Sequence, residues 1–194
     1  MYNNSESDDT LIESVKKGDC DAYGPIVERY KLALYRVMYR MVLNRDDAED
    51  LVEEAFIKAY RSINRFKTGR PFYAWLRRIA VNNALNFLKR ERGHSVQPLE
   101  YVEKTLSDER SDPVAMTRQK MLAERIAKAF AMLPEESRVI LSLKVEQELS
   151  YDEIGKLLNI PGGTVMSRLA RARIKLRKIM EEMEAYEHEV RLSH

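Results

Sequence analysis

The sequence predicts an all-α protein, two small helical domains joined by a flexible acidic linker. Three observations lead there. Glycine and proline are scarce, seven and six residues in 194, and these are the residues that punctuate turns. Apolar residues recur at steps of three and four over long stretches, and no stretch of four or more residues alternates as a strand would. Between two such blocks, His94 to Ala115 loses the period, carries Pro98 and Pro113, and holds five acids against two bases, the composition of a linker.

Residues 1–8 read as a polar tail, and the first domain spans 9–93. Thr10 with Glu13 resembles a capping box for a short helix, with Leu11, Ile12 and Val15 as its apolar side and Gly18 as its stop. After Asp21 a second helix carries Tyr23, Ile26, Val27, Tyr30, Leu34, Val37, Met38 and Met41 at helical steps. Pro25 then falls in its first turn, where a missing N–H costs least. Asp46 with Glu49 resembles a further capping box. It opens the most regular helix of the chain, with Ala48, Leu51, Val52, Ala55, Phe56, Ala59, Tyr60 and Ile63 as one apolar stripe. Asp50, Glu53, Glu54 and Ile57 then face outward. Phe66 to Pro71 is a loop by its glycine and proline. From Phe72 the period resumes with Trp75, Leu76, Ile79, Ala80, Ala84, Phe87 and Leu88 available for burial, while Arg78, Asn82 and Asn86 share another face with Lys89 and Arg90 nearby.

The second domain spans 116–183. Met121, Leu122, Ile126, Ala129, Phe130 and Leu133 form one apolar face. Pro134, Glu135 and Glu136 read as a new helix with proline at its first position, and Val139, Ile140 and Leu143 continue its apolar side. Ser150 and Glu153 make a capping box for a helix that buries Ile154, Leu157 and Leu158. Asn159 to Gly163 is the turn, and Thr164 is a suitable N-cap for a last helix with Val165, Leu169, Ala172 and Leu176 inward. The glutamate-rich end from Glu181 extends that helix and then frays, leaving 184–194 as a tail.

Composition removes several function classes. Cys20 is the only cysteine, so no internal disulfide or cysteine-based zinc cluster is expected. Its ordinary reading is a small residue beside charged ones. His94, His188 and His194 lack metal-ligand spacing. With no supported catalytic set and no phosphate-cradling glycine loop, neither a cofactor, a small-molecule substrate nor an enzyme is expected. The acidic start and the lack of a long apolar run point to a soluble cytoplasmic protein.

The formal charge of +2 hides strong segregation. Asp46 to Glu54 holds six acids and no base, Lys58 to Arg92 ten bases and one acid, and Gly162 to Lys178 six bases and no acid. Separate faces for different partners, one of them polyanionic, follow from such a pattern. Leu149 to Lys178 has the form of a helix-turn-helix. Arg171 suits a bidentate contact to guanine, Ser167 a close base or phosphate contact, and Thr164 a phosphate at a helix N-terminus. The competing reading is a solvated basic face on an ordinary bundle. On the helix over 72–92, asparagines can pair with adenine edges and apolar pockets can accept an extruded base. Trp75 itself reads as core. The acidic edge of the 47–63 helix, taken alone, reads as solvated surface.

Taken in order, these segments resemble the extracytoplasmic-function (ECF) sigma factors, small two-domain members of the bacterial sigma-70 family. GDCDAYGPIVERY resembles the start of the family's region 2, DAEDLVEEAFIKAYRSINRF its region 2.2, and FYAWLRRIAVNNALNFLKRERG its regions 2.3 and 2.4. LPEESRVILSLKVEQELSYDEIGKLLNIPGGTVMSRLARARIKLR resembles its region 4, and IAVNNALN is similar to the sigma-E-like, envelope-stress type.

The resemblance implies a promoter-specificity subunit of RNA polymerase, with a region 2 bundle and a region 4 helix-turn-helix. It implies that Asp50, Glu53, Glu54 and Tyr60 bind the β′ coiled coil of core polymerase. The family often has glutamine in place of Glu53. The loop Phe66 to Phe72, with Lys67 and Arg70, and the face of Arg78, Asn82, Asn86, Lys89 and Arg90 would capture an extruded base of the minus-10 element. Thr164, Ser167, Arg168, Arg171, Arg173 and Lys175 would bind the minus-35 element, with the β flap as a further polymerase partner. Met166 and Ala170 stand where relatives often carry larger polar, basic or aromatic residues. The linker, 94–115, would thread the polymerase cleft as a nucleic-acid mimic. An anti-sigma factor would cover the polymerase-binding surfaces, and a membrane-bound one would hold the protein at the inner membrane face. Two rivals remain at this point, a homodimeric helix-turn-helix regulator of duplex DNA and an adaptor that uses its helices for protein contacts only.

Overall fold

The computed structural model describes residues 6–91, 113–145 and 149–192. Every regular element among them is helical. The chain divides into two compact units, Met1–Pro98 and Leu99–His194.

In the first unit α1 spans Asp8–Lys16, α2 Tyr23–Val42, α3 Arg45–Arg61 and α4 Phe72–Glu91. The first helix starts earlier than the Thr10–Glu13 pattern suggested. Ser7 is its N-cap, and the Thr10 N–H donates to Ser7 Oγ at 3.2 Å. Likewise α3 is capped by Asn44 rather than Asp46. Asn44 Oδ1 accepts from the Asp46 and Asp47 N–H groups at 2.9 and 3.2 Å. The two aspartates instead occupy the first turn, where the helix dipole favours negative charge. Between α2 and α3 the chain reverses at Leu43, which is left-handed (φ 58°) and hands the backbone to Asn44 in extended conformation.

The long helices α2, α3 and α4 pack against one another, and α1 leans on α2. Leu11, Ile12, Ile26, Leu34, Met38, Met41, Phe72 and Leu76 are fully buried. Each such side chain contributes about 1.5–3 kcal/mol when taken out of water. Asp8 ties α1 to α2 by accepting from Arg29 and from the Tyr30 hydroxyl. Trp75, Ile79 and Phe87 are half-buried at the margin of the core.

In the second unit α5 spans Pro113–Ala131, α6 Glu135–Val145, α7 Tyr151–Leu158 and α8 Gly162–Leu192. Helix α5 begins at Pro113, inside the stretch expected to be linker; the remainder, to residue 112, lies outside the described residues. Its apolar face is only partly covered. Ala129 and Leu133 are buried, but Met121, Leu122 and Ile126 are 52 %, 49 % and 41 % exposed. Helical period shows which side chains share a face, not whether a partner helix reaches it. Pro134 stands just before α6, its carbonyl accepting from the Ser137 and Arg138 N–H groups.

The cap of α7 is the one expected. Glu153 N–H donates to Ser150 Oγ at 3.2 Å, and Ser150 N–H donates back to Glu153 Oε2 at 2.9 Å. Ile154 is buried, whereas Leu157 and Leu158 are half-buried. Asn159 takes the left-handed conformation (φ 55°) that ends α7. A Cβ on Gly155 would lie 2.6 Å from the Ile160 carbonyl oxygen, so the turn needs glycine there to fold back so tightly. Helix α8 opens at Gly162, which puts Thr164 inside the first turn, with its N–H on the Pro161 carbonyl, rather than at the cap. It then runs on to Leu192 without a break at 183.

Candidate nucleic-acid interface

Helix α3 presents an acidic outer face. At about 100° per residue, Asp50, Glu53, Glu54, Ile57 and Tyr60 fall within an arc of about 120°. All of them are exposed. Asp47 lies beside them, and burial, then the carboxylates of Glu91, Asp50 and Asp46, push its carboxyl above the ordinary value. Tyr60 closes the face at its C-terminal end. Its ring meets Tyr23 edge-on at 5.1 Å, and its hydroxyl lies 2.9 Å from Cys20 Sγ. Tyr23 is in turn fixed by donating to the Phe56 carbonyl at 2.9 Å.

The loop between α3 and α4 is held from inside and exposed outside. Lys67 and Arg70 are exposed. Phe66 and Phe72, expected on the DNA-facing loop, are core residues, 4 % and 1 % exposed. Their rings meet edge-on at 5.4 Å, and each packs on Trp75, at 5.2 and 5.7 Å. They form the base that closes the loop, and Trp75 is the member of the trio that reaches the surface. A further anchor comes from α1. The Gly69 N–H lies 3.2 Å from both carboxylate oxygens of Asp9, with Gly69 at φ +81°. No local pattern pairs residues sixty apart, so this contact had no signal in the sequence.

Along α4, Arg78, Asn82, Asn86, Lys89 and Arg90 are exposed, and the first four share one stripe. Asn83, beside them in sequence, is buried and faces α3. Its Oδ1 accepts from Lys58 Nζ at 2.8 Å. Its position was legible in principle, being seven residues after Leu76 and three after Ala80, both on the apolar side.

In the second unit Val165, Leu169 and Ala172 are buried and turn the basic surface of α8 outward. Thr164, Ser167, Arg168, Arg171 and Lys175 lie on one side of the helix. Arg173, nine residues from Thr164, lies about 180° around the axis and does not join them. Ser167 Oγ donates to the Thr164 carbonyl at 3.0 Å, leaving its lone pairs outward, and Arg171 Nε rests 3.4 Å from the Ser167 carbonyl. Arg168 lies 4.0 Å from Glu136 on α6. Met166 is exposed. No group of histidine, cysteine or carboxylate side chains suited to a metal ion occurs among the described residues. No described helix is long and apolar enough to cross a membrane.

Two helical units, one of them a helix-turn-helix with a basic second helix, have the form of a DNA-binding protein. Comparison with known proteins sharpens the class. A model of sigma-70 region 2 matches residues 26–94, and one of sigma-70 region 4 matches residues 123–176. The chain is 36% identical over 180 residues to the ECF RNA polymerase sigma factor SigW of Bacillus subtilis, covering 89% of this chain and 96% of that protein. It is 36% identical over 174 residues to the ECF RNA polymerase sigma-E factor of Escherichia coli, with 86% and 91% covered. Among solved structures, the sigma factor RpoE in complex with the anti-sigma factor NepR from Bartonella quintana matches with a TM-score of 0.57 at 24% identity, covering 80% of this chain and 96% of that one. CnrH in complex with the cytosolic domain of CnrY matches with a TM-score of 0.56 at 22% identity, covering 91% and 99%. These two likenesses concern the fold. The chain belongs to the ECF sigma factors, the promoter-specificity subunits that direct bacterial RNA polymerase to initiate transcription.

Proposed function

We propose that the two units divide promoter recognition between them. The first, over 9–93, docks on core polymerase through Asp50, Glu53, Glu54 and Tyr60. It takes the minus-10 element on Lys67, Arg70, Arg78, Asn82, Asn86, Lys89 and Arg90. Phe66 and Phe72 shape that loop from beneath, and Trp75 offers the aromatic surface beside it. The second unit, over 116–183, places Thr164, Ser167, Arg168, Arg171 and Lys175 against the minus-35 element, with Arg173 toward a flanking phosphate. The observation that carries this reading is the packing of α3 on α4. One small body presents an acidic face for a protein and an asparagine–arginine face for DNA, so docking polymerase also positions the strand that opens. Trapping one base offsets the few kcal/mol that unstacking costs.

The protein is not itself an enzyme in this reading; the chemistry belongs to polymerase. It works in the cytoplasm, and an anti-sigma factor that covers the α3 face would withhold it from polymerase. The anti-sigma factor NepR, in complex with the sigma factor RpoE of similar fold, supports that regulation. Selection of bound DNA from a random library by the reconstituted holoenzyme tests the division of labour. Two separated sequence blocks at fixed spacing are expected. A single block, or a palindrome selected equally well without polymerase, overturns it.

A further inference from the structure

Lys58 and Asn83 join the two faces of the first unit. Lys58 lies on α3, four residues from Glu54, and its ammonium is 2.7 Å from Glu54 Oε1 and 2.8 Å from Asn83 Oδ1. The Asn83 side chain is buried, 7 % exposed, and its Nδ2 has no hydrogen-bond partner. A lysine ammonium only donates, so the amide oxygen must face Lys58 and the amide nitrogen must point into the core. Leaving a buried donor unmade is costly, and alanine would remove that cost. The bond that the amide oxygen accepts offsets that cost. This charge-assisted bond fixes one long, half-exposed side chain against α4, at the residue that follows the exposed Asn82 in sequence. Two of the three ammonium hydrogens are then engaged, and the third is open to an acceptor.

We infer that Asn83 is a positioning residue for strand opening. It holds Lys58 at the edge of the asparagine face, where the ammonium takes a backbone phosphate of the separated strand, and it fixes the rotation of α4 on α3 so that Asn82 and Asn86 face that strand together. The inference rests on the proposed minus-10 role of α4. Lysine supplies the point charge, and Asn83 removes the conformational freedom that would otherwise weaken the contact.

The test uses the full chain in holoenzyme on its selected promoter. It compares wild type, Asn83→Ala, Lys58→Ala, the double variant and Asn83→Asp, which keeps an acceptor oxygen. Open-complex formation is read by permanganate reactivity as a function of salt, with core affinity and thermal midpoint alongside. Asn83→Ala and Lys58→Ala should each reduce opening by a similar factor. Each should lower the salt dependence by about one phosphate's worth. The double variant should be no worse than either single one, and Asn83→Asp should restore opening. The thermal midpoint of Asn83→Ala should change little, because the unsatisfied donor and the bond to Lys58 are lost together. Additive losses, or normal opening by Asn83→Ala, overturn the inference, as does a lowered midpoint that alone accounts for the loss. If wild-type holoenzyme opens no promoter, the proposed function fails first and the inference falls with it.

Discussion

The Tyr60 hydroxyl and the Cys20 thiol lie 2.9 Å apart, although forty residues separate them in sequence. The contact fastens the turn before α2 to the end of the acidic face of α3. The hydrogen bond to Cys20 first, then the electrostatic influence of the same side chain and desolvation, raise the Tyr60 phenol above its ordinary value. Cys20 is exposed and free. Alkylating it with iodoacetamide should displace Tyr60 and weaken core binding several-fold in a competition assay, while Cys20→Ser, treated the same way, should bind normally. Equal loss in both proteins would place the effect elsewhere.

The two faces of the first unit should separate by mutation. Asp50→Lys with Glu54→Lys should cost about 2 kcal/mol or more in core affinity, roughly thirtyfold, because charges that meet a partner's bases would now repel them. Asn82→Ala with Asn86→Ala should leave core affinity within twofold of wild type and impair strand opening. Fluorescence anisotropy on labelled core reads the first quantity and permanganate reactivity the second. Normal opening by the asparagine variant would remove those residues from the DNA interface.

Arg171 and Arg173 differ by only two positions, yet they point to different sides of α8. Arg171→Ala should cost about 1–3 kcal/mol in promoter binding and relax preference at one base pair of the minus-35 element. Arg173→Ala should weaken binding to all sequences alike and by less. Binding titrations on single-base promoter variants distinguish the two patterns, and a base-specific loss from Arg173→Ala would reverse the assignment.

Stability should depend on alkaline pH through Tyr30. Burial first, then the hydrogen bond and charge of Asp8, opposed by Arg29, push its phenol from 10.0 up to about 12. Below the unfolded value both states hold the proton, and stability from this group is constant. Between the two values the unfolded chain loses the proton while the folded one keeps it, so stability falls as pH rises. Urea titrations at pH 9 and about pH 11 should therefore show a steeper loss for wild type than for Tyr30→Phe. Parallel losses would show that Tyr30 keeps its ordinary acidity in the folded state.

Much of this architecture was legible because it is local. The stripe from Ala48 to Ile63 (apart from Tyr60, which turns out to the acidic face), the outward acids of α3 and the Ser150–Glu153 cap each depend on residues within one or two turns of one another. The starts of α1, α3 and α8 moved because several capping residues compete there. Which one wins depends on where the previous segment ends, as the left-handed Leu43 does for Asn44. Phe66 and Phe72 went inside because aromatic rings around a loop can either meet a ligand or close the loop on itself, and only the position of Trp75 decides that. Met121, Leu122 and Ile126 stayed exposed because a face needs a partner as well as a pattern. The Lys58–Asn83 and Asp9–Gly69 contacts join distant segments, and no period in the chain records them.

The most direct measurement is transcription in vitro with purified core polymerase, this protein and DNA carrying the two sequence blocks recovered by selection. Defined-length transcripts that require both the protein and both blocks, and that disappear when Asp50 and Glu54 are replaced by lysine, are the expected result. Transcripts that never exceed those of core alone on any DNA, with the protein bound to core or not, would contradict a promoter-specificity role for this chain.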